Sequence, residues 1–500
     1  MEEQTNEKKS KKRDIFGLRS MKVSVRTEIV AGIVTFLAMA YILTLNPSLI
    51  TGDWTSSTPL WASVFIATAL GAFIGTFLMA VVAKMPLAQA PGLGLNSMVG
   101  ALFGTSMSLG FKCSFGNAMF IVLVSGVIFL LLSLIKIKGV SIRQVIFNGI
   151  PESIRKAISV GIGLFIAFIG LVNAGLVTAG SGTLVTLVQF NNFSQPYAAA
   201  GAVVLVAGIF FIAVLEHFRV KGSVIIGIIA ATLIGIPLGV TKYSGMSWKF
   251  WEYFANFFSF QGDAVNTGAT FFAVFTEGFK WDANATVMPI IMTIVTFCMI
   301  DMFDTMGTCV GCAEAAGLLD ENGVPLHYDG IMVADSTATV AGALLGTSTV
   351  TTFVESGAGV AAGGKTGLTA LVTAICFALS IFLMPLIASI PSAAASCALL
   401  YVGALMLKGA KEFKFDSIKD VAATFVTVAV MPLSYSITNG IGLGILTYVI
   451  VDIVCFVVDV IKHAVNKENP KPRLFLYIGP VYLETIFARS TTFCFALSLV

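Results

Sequence analysis

The stretch GALLGTSTVTTFVESGAGVAAGGKTGLT, residues 342–369, combines features that an ordinary membrane helix does not tolerate. The section at 348–353 is rich in threonine and β-branched residues, which suit an extended strand better than a helix. Glu355 comes two residues later, and four of the nine residues after it are glycine. A strand that leads into a helix at membrane depth leaves backbone N–H groups free for a ligand, and such irregular backbone is tolerated only where it lines a cavity. The stretch therefore predicts a binding site on a broken membrane segment, with Glu355 at its centre.

A second glycine-rich stretch, PLAQAPGLGLNSMVGALFG at 86–104, has the same character. Its G-x-G-x-N pattern is a poor match to a dinucleotide-binding loop, because the third glycine, a preceding soluble strand and a following acid are missing. We interpret Gly92, Gly94 and Asn96 as the pivot of another broken helix. The amide of Asn96 offers both a donor and an acceptor to a ligand. The alternative is a plain contact between helices, for which small residues are also typical.

The composition of the whole chain is that of an integral membrane protein. Of its 500 residues, 57% are hydrophobic and 11% are charged, whereas a soluble domain carries about 25% charged residues. Lipid must therefore cover most of the exterior, and a net charge of +3 gives no indication of nucleic-acid binding. Besides the two broken stretches, 86–104 and 350–363, twelve runs are apolar and long enough for a span: 28–50, 60–83, 116–135, 154–175, 198–216, 222–240, 286–311, 331–347, 366–388, 391–407, 418–434 and 438–461. The sequence thus predicts an all-α polytopic protein with fourteen transmembrane segments.

The distribution of basic residues indicates the orientation of these segments. With a cytoplasmic N-terminus, the outside loops receive only four of the 30 basic residues, Lys112, Lys242, Lys249 and Lys280, as the positive-inside rule requires. Both termini are therefore predicted to be cytoplasmic, in a multi-pass protein of the cell membrane. The predicted divisions are a basic N-terminus at 1–27, a first repeat at 28–240, an extracellular loop at 241–285, a second repeat at 286–462, and a cytoplasmic or interfacial tail at 463–500.

The two halves of the chain resemble each other when the sequence is shifted by about 261 positions. The Thr-Phe pair at 35–36 then falls on the pair at 296–297, and the glycine-rich section 94–100 falls on 355–361. Because each half has seven segments, an odd number, the halves must lie in opposite orientations in the membrane. Inverted repeats with paired, glycine-interrupted segments are typical of transporters that bind their substrate near the bilayer midplane.

Ionisable residues inside apolar segments are costly, which makes them functional candidates. Asp301 and Asp304 lie three residues apart in IVTFCMIDMFDTMGTCVG, 294–311, so that both point to one helix face. Neighbouring carboxylates in an apolar site hold protons more tightly than in water, which suits coupling to a proton. A helix-packing pair satisfied by Ser and Thr is the alternative for the aspartates, and a buried pair with Lys365 is the alternative for Glu355.

The three histidines, His217, His327 and His463, lie in or beside predicted cytoplasmic loops. Proton handling must therefore depend on carboxylates, and we expect neither a metal site nor any cofactor besides the coupling proton. Cys309 and Cys312 form a C-x-x-C pattern, but no second pair completes a zinc site. We interpret both as packing thiols.

At its motifs the chain resembles the nucleobase:cation symporters of the second type, in their adenine/guanine/hypoxanthine permease branch. The matching stretches are YILTLNPSLI (41–50), APGLGLNSM (90–98), FDTMGT (303–308), ADSTATVAGALLGTSTVTTFVESGAGVAAGGKTGLTA (334–370) and MPLSYSITNGIGLG (431–444). The resemblance covers roughly residues 20–462 and leaves out the tail after Arg473.

The resemblance implies a core of segments 1–4 and 8–11 that moves against a gate of segments 5–7 and 12–14, with a short strand in each of segments 3 and 10. It implies proton-coupled uptake of a purine nucleobase (adenine, guanine or hypoxanthine) and allows for a homodimer. The residues expected around the substrate are Asn96, Asp301 and Glu355, with Gly94, Phe353 and Val354 beside them. Asp301, Asp304 and Glu355 are the expected proton-coupling residues.

Other classes of protein remain as alternatives. A transporter of the same fold for xanthine, uracil or an anion is the first, although three acids disfavour an anion. An intramembrane aspartyl protease carries its two aspartates on separate helices, whereas Asp301 and Asp304 share one. A receptor or channel is the third alternative, but neither requires coupled acids in inverted repeats.

Overall fold

The computed structural model describes most of the apolar chain. The residues described are 16–18, 21–54, 56, 58–103, 111–137, 140–141, 151–178, 180, 185–190, 196–220, 222–242, 248, 250–260, 264–320, 324–413, 415, 417–434 and 437–465. Most of the predicted N-terminal region 1–27 and nearly all of the predicted tail 463–500 lie outside these residues.

The described residues form nineteen α-helices and six short strands. In chain order the helices are α1 Val25–Met39, α2 Ile42–Thr51, α3 Pro59–Leu78, α4 Leu93–Phe103, α5 Phe115–Leu134, α6 Glu152–Asn173, α7 Pro196–His217, α8 Ser223–Gly235, α9 Phe250–Phe257, α10 Ala264–Thr267, α11 Ala273–Thr276, α12 Val287–Ala316, α13 Tyr328–Leu345, α14 Ser356–Ala361, α15 Gly367–Ser380, α16 Met384–Ile387, α17 Ser392–Met406, α18 Ile418–Leu433 and α19 Ile437–Val465. The strands are β1 Gln89–Pro91, β2 Lys136–Ile137, β3 Val140–Ser141, β4 Val177–Thr178, β5 Thr186–Leu187 and β6 Val350–Thr352.

A helix, or a strand followed by a helix, lies in each of the fourteen predicted apolar stretches. Among the residues that the structure describes, nine helices are long and apolar enough to cross a membrane, and α4 and α8 are shorter apolar helices. The fold is therefore a mostly helical, multi-pass one. The predicted extracellular loop 241–285 contains three short helices, α9 to α11.

Short polar residues begin several of the helices, because their oxygens accept hydrogen bonds from the first free backbone N–H groups. Ser24 accepts from the backbone N of Thr27 before α1, and Thr58 accepts from that of Trp61 before α3. Ser114 forms a capping box with Asn117 at the start of α5. These caps fix where the apolar helices start.

The helices pack into two groups. One contains α1 to α5 and α12 to α15, and α13 packs against both α3 and α5 while α15 packs against α1 and α3. The other contains α6 to α8 and α17 to α19, in which α6 packs against α17 and α18 and α7 packs against α8 and α17. Contacts between the groups are sparse. We call the first group the core and the second the gate.

The two broken segments meet at the centre of the core. Strands β1 and β6 pair antiparallel, with Gln89 opposite Thr352, Ala90 opposite Thr351 and Pro91 opposite Val350. All six of these residues are buried. The predicted strand at 348–353 is confirmed in the shorter form of β6, and its partner comes from the other glycine-rich stretch. The prediction that the stretches 86–104 and 350–363 are broken by short strands is therefore confirmed.

Candidate functional site

The strand pair forms the floor of the candidate site and is tied down on both sides. Beyond the ladder, the backbone N of Phe353 donates to the carbonyl of Ala88 at 3.0 Å, and that of Gly92 donates to the carbonyl of Thr349 at 3.0 Å. The Thr76 hydroxyl of α3 donates to the Gln89 carbonyl and accepts from the Gln89 backbone N, both at 2.9 Å. A buried backbone satisfied in this way is a rigid support for neighbouring side chains.

Glu355 lies at the start of α14, immediately beyond β6, and its residue surface is 8% exposed. The Tyr41 hydroxyl donates a hydrogen bond to Oε1 of Glu355 at 2.5 Å. Tyr41 lies at the break between α1 and α2, and only 3% of its surface is exposed. The alternative stated from the sequence was a pair between Glu355 and Lys365. At Oε1 the partner of Glu355 is Tyr41 instead.

Asp304 on α12 is the other carboxylate of this group. Its Oδ2 accepts a hydrogen bond from the hydroxyl of Thr351 on β6 at 3.3 Å. Asp304 is also within electrostatic range of the Glu355 carboxylate and the Tyr41 hydroxyl. We call Tyr41, Asp304, Thr351 and Glu355 the carboxylate cluster.

Asp301, one helical turn before Asp304, has a different neighbour. Its Oδ2 accepts from the hydroxyl of Thr339 on α13 at 3.0 Å, and 2% of its surface is exposed. The same hydroxyl lies 3.3 Å from the carbonyl oxygen of Val350, which links Asp301 to β6. The two aspartates do share a side of α12, but these contacts favour Asp304 over Asp301 as the partner of Glu355.

Asn96 on α4 joins the two broken segments. Its Oδ1 accepts a hydrogen bond from the hydroxyl of Ser348, and its Nδ2 donates to the Pro91 carbonyl at 3.3 Å. The residue is completely buried. In this arrangement each end of the amide makes one bond to the protein, which leaves a second acceptor site on Oδ1 and a second N–H on Nδ2 for a ligand.

The remaining predicted residues mark the boundary of the site. Gly94 faces the gate, since a Cβ atom built there would lie 2.9 Å from Cδ1 of Ile437 and 3.5 Å from Cγ2 of Ile162. Phe353 is buried, whereas 47% of the surface of Val354 is exposed. A Cβ atom built at Gly357 would meet no atom within 4 Å. Val354 and Gly357, on either side of Glu355 in the sequence, therefore border open space.

A further buried acid, Asp335, supports the strand pair. Asp335 on α13 accepts from the Gln89 side-chain amide at 2.9 Å and from the Thr305 hydroxyl at 2.7 Å, both at Oδ1. These bonds tie β1 to helices α12 and α13. We interpret Asp335 as a structural group of the core.

The described residues contain no group of three or more His, Cys, Asp or Glu side chains that could hold a metal ion. Cys309 and Cys312 are buried and form no disulfide, and the Cys312 sulfur lies 3.7 Å from the carbonyl oxygen of Val354. The carboxylate cluster itself offers carboxylate and hydroxyl oxygens. Such a set can accept N–H hydrogen bonds and exchange protons.

Sequence reasoning did not identify Tyr41 or Thr351 as site residues. Thr351 falls in the predicted strand 348–353, but nothing in the sequence distinguishes it from the other threonines there. The available signal for Tyr41 was a hydroxyl-bearing side chain in the middle of an apolar run. Only the break between α1 and α2 shows that this hydroxyl reaches Glu355.

The chain is similar in sequence to several known proteins. The profile of a family described as "Permease family" matches residues 26–443. The guanine/hypoxanthine permease PbuO of Bacillus subtilis (strain 168) is 36% identical over 444 residues, which cover 87% of this chain and 94% of that protein. The adenine permease AdeP of Escherichia coli (strain K12) is 34% identical over 441 residues, which cover 88% of this chain and 90% of that protein.

Among solved structures, the transmembrane domain of a cyanobacterium bicarbonate transporter, BicA, has a similar fold. The TM-score is 0.56 at 14% sequence identity, and the match covers 85% of this chain and 97% of that chain. At this identity the likeness concerns the fold alone.

Proposed function

Because the chain belongs to the nucleobase:cation symporter-2 family, in the branch of adenine and guanine/hypoxanthine permeases, we propose that it takes up purine nucleobases together with protons. Because it belongs to this family, the chain is a transporter. The alternative that it is an intramembrane aspartyl protease is thereby excluded. The observation that carries the proposal is the pair of carboxylates, Asp304 and Glu355, at the meeting point of two broken segments. We place the protein in the cell membrane, with both termini in the cytoplasm.

The proposed architecture has fourteen segments in two inverted repeats. The pairing of β1 with β6 supports it, because Ala90 lies opposite Thr351, and Thr351 is 261 positions after Ala90. This is the shift at which the two halves of the sequence resemble each other. Two equivalent strands related by a two-fold axis must pair antiparallel with the central residue of one opposite its equivalent in the other, as Ala90 and Thr351 do. A homodimer stays a prediction of the resemblance.

In the proposed site a flat base lies between the strand pair and the gate. The carboxylate of Glu355 can accept two N–H hydrogen bonds from one edge of the base, in place of the Tyr41 hydroxyl. Asp304 is near enough to accept a third or to hold the coupled proton. Phe353, Val354 and Gly94 would contact the faces of the base. Asn96 and Asp301, which bond to Ser348 and Thr339, would take part through their other donor or acceptor positions or by exchanging these bonds.

The test of this function is uptake of labelled adenine, guanine, hypoxanthine, xanthine and uracil by cells that express the protein, with and without a proton uncoupler. We expect uptake of at least one of the first three bases, and we expect the uncoupler to abolish its accumulation. Uptake of uracil or xanthine alone would favour the other branch of the family. Accumulation of a base that is unchanged by the uncoupler would contradict proton coupling.

Transport requires the core to move against the gate, by an elevator-like or rocking motion, and Gly94 lies where the two meet. We expect Gly94→Val to slow purine uptake, because added methyl groups would overlap Ile437 of α19 and overpacking costs about 1–3 kcal/mol. The initial rate of uptake at equal expression measures the effect. The double variant Gly94→Val with Ile437→Ala should recover much of the rate. An unchanged rate for the single variant would show that Gly94 is not at a moving interface.

A further inference from the structure

The short helix α9, Phe250–Phe257, belongs to the predicted extracellular loop, but its composition is not that of a helix in water. Five of the eight residues in FWEYFANF are aromatic. Phe257 is completely buried, whereas 86% of the surface of Trp251 is exposed. Tryptophan is enriched where a membrane meets water, because its ring is apolar and its N–H is polar. The exposure of Trp251 therefore indicates a surface in contact with lipid.

The side chains of α9 divide into separate faces. Phe257 points to the protein, since α9 packs against α3 of the core and the centroids of the Phe257 and Phe271 rings are 5.7 Å apart. Glu252 and Asn256, four residues apart, form an exposed polar stripe. Trp251 begins the apolar face beside this stripe. A polar stripe next to an apolar face with tryptophan is typical of helices that lie in the plane of a membrane surface.

The apolar face of α9 borders a groove of about 580 Å³, a volume within the range of about 300–1,000 Å³ that is usual for small-molecule sites. Across the groove lies Phe382, whose ring centroid is 5.6 Å from that of Phe250, with the rings at 82° to each other. The described residues that line the groove are all apolar: Phe250, Trp251, Phe254, Ala255, Phe258 and Phe382. This lining suits a hydrocarbon chain and not a charged group.

The groove is continuous with a face of the core that lipid must cover. Phe382 lies in the 3₁₀ turn Ile381–Leu383 that follows α15, inside the stretch Gly367–Ile387, which is long and apolar enough to cross a membrane. Exposed apolar side chains recur along this stretch at helical spacing: Ile375, Leu379, Phe382 and Leu386. Because the groove begins at this row, a lipid chain beside the protein can enter it without crossing water.

We propose that α9 lies in the membrane interface at this end of the core, and that the groove beside it binds an acyl chain of a membrane lipid. Trp251 and Ala255 contact the chain, while Glu252 and Asn256 face the headgroups and water. The apolar lining recognises the chain and is indifferent to the headgroup. This inference goes beyond the proposed function, since it concerns a surface of the core that the substrate does not touch.

The position of α9 is tested with the full-length protein in phosphatidylcholine vesicles, by the fluorescence of Trp251. The emission that is lost in Trp251→Phe is the contribution of this residue. We expect lipids that carry bromine in the middle of the acyl chain to quench most of this contribution. We expect acrylamide, which stays in the water, to quench little of it.

The groove is tested with a phospholipid that carries a photoreactive diazirine in its acyl chain. We expect illumination to attach lipid to α9 or to the turn at Phe382, equally in vesicles of phosphatidylcholine and of phosphatidylglycerol. Ala255→Phe should remove most of this label, because the added ring fills the groove. Ala283→Phe is a matched control, since Ala283 is an exposed alanine of the same predicted loop, and it should label normally. Thermal unfolding in detergent checks that both variants fold.

Each other outcome contradicts the proposal. If acrylamide quenches Trp251 and bromine in the acyl chain does not, α9 lies in water. If neither reagent quenches Trp251, protein covers α9, as in a contact with a second copy of the chain. Label that persists on α9 in a folded Ala255→Phe would show that the groove is not where the acyl chain binds. Label in phosphatidylglycerol vesicles alone would show recognition of a headgroup instead of the chain.

Discussion

Replacement of Glu355 by glutamine should abolish purine uptake while leaving the protein folded. The substitution keeps the shape of the side chain and removes the charge that accepts N–H donors at the end of β6. A hydrogen bond to a charged group contributes about 1.5–3 kcal/mol, so the loss of two such bonds corresponds to a fall in affinity of roughly 100-fold or more. Binding of labelled adenine, guanine and hypoxanthine to the purified protein, followed by uptake in proteoliposomes, measures this change.

The same experiment tests which aspartate acts with Glu355. Asp304→Asn should lower purine uptake and remove its dependence on external pH, because Asp304 belongs to the carboxylate cluster. Asp301→Asn should act mainly on stability, because its partner Thr339 holds β6. If uptake and its pH dependence are unchanged in Glu355→Gln, the assignment of Glu355 to the substrate site is wrong. A larger effect on binding from Asp301→Asn than from Asp304→Asn would restore Asp301 as the contact to the base.

Replacement of Glu28 by glutamine should destabilise the core more than any change on its surface. Glu28 is completely buried in the first turn of α1, and its carboxylate accepts five hydrogen bonds from the beginning of α15. The donors are the backbone N of Lys365 and both the backbone N and the hydroxyl of Thr366 and Thr369. Because the first N–H groups of a helix have no partner within it, Glu28 adds to the cap that Thr366 provides for α15. Leaving a buried donor without its acceptor costs about 1–3 kcal/mol.

The stability of the purified variant, measured as its thermal unfolding in detergent, tests the role of Glu28. Thr293→Val is a suitable control, because the Thr293 hydroxyl bonds to the Pro289 carbonyl within its own helix at 2.8 Å. Thr369→Val should also destabilise the protein, and the double variant with Glu28→Gln should lose less than the two single effects combined, since they remove shared bonds. Additive effects would show that Glu28 and Thr369 act independently.

Much of the architecture could be predicted from sequence because it depends on local physical chemistry. Charges and irregular backbone are costly in lipid, and this cost indicates that the two glycine-rich stretches and the acids near them are functional. The threonine-rich section predicts β6. Tyr41 and Glu28 were missed for a different reason. Tyr41 reaches a carboxylate 314 positions away, and Glu28 caps a helix more than 330 positions away, so neither role leaves a local pattern.

The sequence by itself determined the class of the protein, the stretches that form its helices and the two broken segments, because hydropathy, glycine spacing and charge distribution are properties of neighbouring residues. Only the tertiary structure decided that β1 and β6 pair with each other, and that Asp304, rather than Asp301, lies in the carboxylate cluster with Glu355. Three residues along a helix differ by about 4.5 Å in height and about 60° in direction. Which neighbour each aspartate meets is therefore set by how α12 is rotated and positioned against α13 and β6, and packing alone fixes that.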